Sequence, residues 1–190
     1  MAIYHLNDER YTRVAILLHW VIAAIIIFNL GLGLIMEEMH GAPRRFWIPI
    51  HISFGLTVLL LTLVRIGWRL THRPPAPFEG PRWEHVAAHA AHFAIYALML
   101  GLPLTGWAII SAHRPGGPGA PEFFNLFLVP SLPVLPWLEP TVQKQAHDIA
   151  VDVHKIVAYI MIALLGLHVA AALKHQFIDR HPQFKRMGIG

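Results

Sequence analysis

Four long runs without a charged residue dominate this chain of 190 residues. Ala15 to Met36 holds 22 residues without Asp, Glu, Lys or Arg, Ile48 to Val64 holds 17, Val86 to Ala112 holds 27 and Ile156 to Leu173 holds 18. A helix needs roughly 20 residues to cross about 30 Å of hydrocarbon. Each run can therefore span a bilayer, the shorter ones with help from flanking residues such as Arg65 and Arg69, which can snorkel. Hydrophobic residues make up 55% of the chain and charged residues 14%, which excludes an ordinary soluble domain and a disordered one. The expected fold is an all-α membrane protein of one domain over residues 1–190, a four-helix bundle with spans near 15–36, 48–69, 86–112 and 152–174 and a long outer loop over 113–151. The first run is too long for a signal-peptide core and no A-x-A-like site follows it, so it belongs to the bundle.

A fifth apolar run, Phe123 to Leu138, carries Pro130, Pro133 and Pro136. Prolines at that spacing forbid a regular helix, so the run reads as an ordered loop at the interface with Trp137 at headgroup depth. Four spans place both termini on one side. That side collects Arg10, Arg13, Arg65, Arg69, Arg73, Arg82, Lys174, Arg180, Lys185 and Arg186, against Arg44, Arg45, Arg114, Lys144 and Lys155 on the other. Cytoplasmic loops carry the excess of Lys and Arg, so both termini are expected in the cytoplasm. The basic balance is then a matter of topology, and no nucleic-acid partner is implied.

The chain has 14 His, more than its 11 Asp and Glu together, and no Cys. Ionisable groups inside a membrane are costly and usually functional, and the absence of thiols leaves imidazole as the natural metal or haem ligand. Sorted by depth, His19 and His168 lie near the cytoplasmic ends of the first and fourth spans. His51 and His154 lie at the outer ends of the second and fourth. His154 and His168 are 14 residues apart, about 40° short of four full helical turns, so they share a face with roughly 21 Å between them. Two haems stacked across a bundle require this: two axial imidazoles per iron, one iron per leaflet. The residues four positions on are small (Ala23, Gly55, Ala158 and Ala172), which leaves room for a flat macrocycle, although small residues also mark plain helix contacts in membranes. Arg13 and Arg69 on the inner side, and Arg44, Arg45 and Lys155 on the outer, are candidate partners for haem propionates.

Other readings stay open. No carboxylate lies inside any of the four runs, which argues against an ion or proton pathway. His85, His89 and His92 line one face at the start of the third span. His92 could replace His19 or His168 as a ligand, and the three could instead form a zinc site, a proton relay or a quinone-binding edge. His5, His40, His72, His113, His147, His175 and His181 read as solvated loop imidazoles, with His147 able to cap the outer haem if the fourth helix reaches it. Pro103 reads as a packing bend within the third span.

Several stretches together resemble the bacterial cytochrome b561 family of small dihaem membrane proteins. They are Tyr11-Thr12-Arg13 through Leu18-His19-Trp20, His51-Ile52-Ser53-Phe54-Gly55, His89-Ala90-Ala91-His92 with Tyr96, and His154-Lys155 through Gly166-Leu167-His168 and Lys174-His175. The resemblance implies a bacterial inner-membrane protein with two haem b groups, ligated by His19, His51, His154 and His168, with the third-span histidines close to the inner haem but not on it. It further implies oxidation of superoxide at the outer face with reduction of ubiquinone in the membrane. The alternative is a cytochrome b subunit that accepts electrons from a partner dehydrogenase or soluble cytochrome and reduces quinone. A pyridine haemochrome assay on the purified chain is expected to give two b haems per chain; a colourless preparation would sink the ligand reading.

Overall fold

The computed structural model describes residues 10–78, 80–112 and 121–189. His5, His113, Arg114 and the glycine-proline stretch after it fall outside them. Four helices are long and apolar enough to cross a membrane: α1 (Arg13–Glu38), α2 (Gly41–Thr71), α3 (Arg82–Ser111) and α4 (Pro140–Leu173). Each packs along the next in sequence, α1 on α2, α2 on α3 and α3 on α4. Only two residues, Met39 and His40, join α1 to α2, which forces the two helices antiparallel. Large apolar side chains such as Leu17, Ile27, Phe93 and Ile160 face outward, as the hydrocarbon environment of such a helix permits.

The core is one apolar layer at mid-height. Ile22 and Ile26 of α1, Val58 of α2, Ile95 and Met99 of α3 and Met161 of α4 form a single buried cluster. Met161, only 1% exposed, stands midway between His154 and His168 in sequence. The packed layer therefore lies between the two levels of histidines.

The helices run past the uncharged stretches. The fourth departs most from expectation, because residues 140–151 are helical and the outer connection ends at Glu139. Pro140 occupies the first helical turn, where its fixed φ suits a helix start. Beyond it the Lys144–Asp148 pair one turn apart supports a solvated extension above the membrane. Absence of charge marked the hydrocarbon-spanning part of α4 and not the helix itself. Pro49 and Pro103 sit inside continuous helices.

The proline-rich run forms no regular helix. It makes a small hairpin, β1 (Glu122–Phe123) with β2 (Phe127–Leu128), followed by one 3-10 turn over Leu135–Trp137. Two fully buried serines fasten this segment to the bundle. Ser53 Oγ donates to the Pro49 carbonyl at 2.8 Å and accepts the Phe124 amide at 2.9 Å. Ser111 Oγ accepts the Leu132 amide at 2.9 Å, and Trp107 Nε1 donates to the Pro130 carbonyl at 2.7 Å. Trp137 remains 83% exposed, free to meet a headgroup layer.

At the opposite end the tail after α4 folds back through a π-helical turn, Lys174–Ile178, and a short α5 (Gln183–Arg186). Trp20 Nε1 donates to the Met187 carbonyl at 2.9 Å. Arg186 stacks on Phe78 with its guanidinium carbon 3.4 Å from the ring centre. Lys174 bridges Glu84 and Asp179, and hydrogen bonds from Lys174 and His175 hold the Asp179 carboxyl below its ordinary pKa range.

Ser53→Ala leaves the part-buried Phe124 amide without its acceptor, a loss of about 1 kcal/mol. Hydrogen exchange at Phe124 is expected to accelerate several-fold relative to the wild type, while helix-core amides stay protected. Equal rates in the two proteins would show that the serine does not hold the hairpin.

Candidate functional site

The four histidines singled out by depth meet as two pairs. His51 of α2 faces His154 of α4 with ring centres 6.1 Å apart and planes at 74°. His19 of α1 faces His168 of α4 at 6.3 Å and 65°. A metal–imidazole bond is about 2 Å and the ring centre lies about 1 Å beyond the nitrogen, so two imidazoles on opposite sides of one iron should stand roughly 6 Å apart. Both pairs match that spacing. His92 of α3 joins the inner pair, 5.5 Å from His168, so three imidazoles share that level. His89 turns away, its Nδ1 on the His85 carbonyl at 2.7 Å.

The outer pair opens on a cavity of about 370 Å³, within the range of cofactor sites. Its walls include Gly55 and Ala158, one turn beyond each histidine, and also Gly33 of α1 and Gly106 of α3. These last two glycines seat the rings. A Cβ on Gly33 would lie 3.2 Å from His51 Cε1, and one on Gly106 would lie 3.2 Å from His154 Cε1. Any larger residue at either place would push the imidazole out of line.

Thr105 fixes the protonation pattern of His154. Its hydroxyl is 2.7 Å from the Leu102 carbonyl and 2.9 Å from His154 Nδ1. A carbonyl only accepts, so the single hydroxyl proton goes to Leu102, and the hydroxyl oxygen must accept from Nδ1–H. The lone pair of His154 is then on Nε2, the form that ligates a metal, and the Nδ1–H contact is the usual second-shell device for orienting such a ligand. On His51 the Nδ1 atom is buried with no hydrogen-bond partner among the described residues, as is Asn29 Oδ1 beside the same cavity; Asn29 Nδ2 meanwhile donates to the His51 carbonyl at 3.2 Å. Paired imidazoles at the right separation, a fixed lone pair and glycine seats fit a b-type haem.

The cationic candidates divide. Arg44 and Lys155 line the outer cavity. Lys155 is bound to Glu37 of α1 at 2.6 Å, with Tyr159 on the same carboxylate, so its charge is already balanced. Arg45 is exposed and is not part of the cavity wall. On the inner side Arg13 is exposed, and Arg69 lies over the Tyr11 ring at 5.8 Å. Arg65 of α2 donates from its Nε to the Tyr96 hydroxyl of α3 at 2.8 Å. His147 is engaged with Asp148 at 3.2 Å.

Sequence reasoning missed Gly33, Asn29, Thr105, Gly106 and the Arg65–Tyr96 pair. Gly33, Asn29, Thr105 and Gly106 lie on helices other than those of the ligands they serve, at no fixed sequence offset from them. The polar residues among them did carry a signal, since Asn29 and Thr105 are polar positions inside otherwise apolar runs.

The family profile described as prokaryotic cytochrome b561 matches residues 10–190. Cytochrome b561 homolog 2 of Escherichia coli (strain K12) is 30% identical over 190 aligned residues, covering 95% of this chain and 92% of that protein. Cytochrome b562 of Cereibacter sphaeroides is 38% identical over 106 residues, 53% of this chain and 66% of that one. A probable superoxide oxidase CybB of Yersinia pestis is 27% identical across 94% and 97% of the two chains.

His154→Ala is expected to halve the haem bound per chain, and Thr105→Val to weaken retention of the outer haem by about 10–100-fold while leaving the inner one in place. Haem titration with optical spectra reads both. Loss of the inner haem in His92→Ala with its retention in His19→Ala would overturn the inner pairing.

Proposed function

The chain belongs to the prokaryotic cytochrome b561 family of membrane electron-transfer haem proteins, and on that premise we propose that it is a dihaem superoxide:ubiquinone oxidoreductase of the bacterial inner membrane with both termini in the cytoplasm. The observation that carries the dihaem reading is the pair of facing imidazoles at each of two levels, 6.1 and 6.3 Å between ring centres. His51 and His154 would hold the outer haem, and His19 and His168 the inner one. A b-type haem supplies a reversible one-electron carrier whose potential follows its ligands and surroundings.

The chain's own residues give each site its character. Thr105 keeps the His154 lone pair on Nε2, and Gly33 and Gly106 let the outer rings stand in register. Arg44 and Lys155 are the outer propionate candidates, with Lys155 balanced by Glu37. On the inner level Arg65, held by Tyr96, joins Arg13 and Arg69 as a candidate propionate partner.

Superoxide as donor is supported by the outer-face charge and by the name of the Yersinia pestis relative. Lys144 and Lys155 are each ion-paired. Arg44 and Arg45 stand exposed side by side at the start of α2, where they would attract a small anion toward the outer level. In the net reaction two superoxide anions each give up one electron and leave as dioxygen, and one ubiquinone takes two electrons and two protons to become ubiquinol.

Mixing the purified chain with a superoxide source and a short-chain ubiquinone is expected to yield ubiquinol. Replacing Arg44 and Arg45 by Gln should slow the reaction several-fold at low ionic strength, with the difference fading as salt screens the charge. A chain inert to superoxide that co-purifies with a large redox subunit would instead assign it as that subunit's cytochrome b.

A further inference from the structure

A second cluster of ligating side chains lies away from the haem levels, where α4 gives way to the tail. The π-helical turn Lys174–Ile178 and the left-handed Arg180, φ 57°, curl the chain back on itself. The His181 amide donates to the His175 carbonyl at 2.8 Å and closes the curl. His175, Asp179 and His181 are thereby gathered from seven consecutive residues, and one ligand atom of each lies within 4.8 Å of the others. His175 Nδ1 is 2.7 Å from Asp179 Oδ2, and the two imidazoles lie 6.2 Å apart with planes only 19° from parallel. All three residues are half-buried.

We propose that His175, Asp179 and His181 bind one divalent transition-metal ion, zinc by ligand preference. Two imidazoles and one carboxylate, with no thiolate, suit zinc over magnesium or calcium. Such a set is three-quarters of a tetrahedral site and leaves the fourth position to water. With metal–ligand distances of about 2.0–2.2 Å, neighbouring ligand atoms in a tetrahedral site stand roughly 3.3 Å apart. The His175–Asp179 contact would open slightly to admit the ion in place of the shared proton, which leaves to solvent. His181 would close by up to about 1.5 Å, a small movement for a residue beyond the helix end.

The surroundings already hold the ligands in place. Phe78 stacks on His181 at 4.6 Å with planes 19° apart. Lys174 reaches the same Asp179 oxygen at 2.8 Å and is itself held by Glu84 at 2.9 Å. An ammonium beside a dication opposes binding, so Lys174 sets the affinity lower than the ligands alone would give. An ion here would join the end of α4 to the tail whose Met187 carbonyl receives Trp20, the neighbour of His19. The site concerns the bundle's end and stands independently of the electron donor.

The test uses the full haem-loaded chain in detergent, without a polyhistidine tag, stripped by chelator and titrated with Zn²⁺ against a competing fluorescent chelator. One zinc per chain is expected. His181→Ala and Asp179→Asn should each weaken binding by about tenfold or more, with the haem spectrum unchanged as the sign of a folded bundle. Lys174→Gln should bind more tightly than the wild type. Should Asp179→Asn lose its haem, His181→Ala still decides. Equal zinc uptake by the wild type and His181→Ala, or no uptake by the wild type at micromolar zinc, would overturn the proposal and leave the cluster as an ion-pair network.

Discussion

An imidazole inside an apolar span must direct two nitrogens somewhere useful, and none of the four uncharged runs offers a carboxylate to receive them. That constraint organises the bundle. On His154 one nitrogen is committed to Thr105, whose own proton is committed to Leu102, so the other nitrogen is left with its lone pair and the facing ring of His51. The seats at Gly33 and Gly106 let both rings lie against neighbouring backbone with no side chain between. The mid-height layer around Met161 then has a definite task. It supplies the dry packing that the histidine levels, with their space and polar atoms, cannot supply, and it keeps the two levels apart.

The spans were legible because hydrocarbon punishes charge so heavily that its absence over a run of the right length has few other meanings. The pairing by depth was legible for a related reason: a helix converts residue number into height at a fixed rate, so His19 with His168 and His51 with His154 could be matched without knowing which helices touch. What depth cannot give is lateral register. Gly33 and Gly106 matter because α1 and α3 present them to rings on α2 and α4, and nothing in the numbering of one helix fixes its rotation against another. The Lys155–Glu37 ion pair joins residues on α4 and α1 that are far apart in sequence, a partnership that charge alone does not reveal. Arg65 was read as a residue snorkelling to the surface, although its Nε is hydrogen-bonded to Tyr96 of α3.

The ends of the bundle were the least legible. Three prolines excluded a regular helix between Phe123 and Leu138, but the hairpin that forms instead depends on Ser53 and Ser111, which look like ordinary small polar residues within their runs. The start of α4 at Pro140 lay outside the expected span because the reading relied on hydrophobicity, while a solvated helix turn rests on a favourable proline start and on charge pairs one turn apart. The tail likewise depends on one wide turn and one left-handed residue, features of backbone geometry that composition does not announce.

Because α4 carries a member of each histidine pair, it acts as a gauge whose length is counted in residues. Adding or removing a single codon between positions 154 and 168 would swing one ring about 100° around the axis relative to the other, and no loop intervenes to absorb the error. A change of length is tolerated more readily in the connections between helices, which run over the surface. The connections can change in length, while the spacing of the two histidine levels is set by the helix itself.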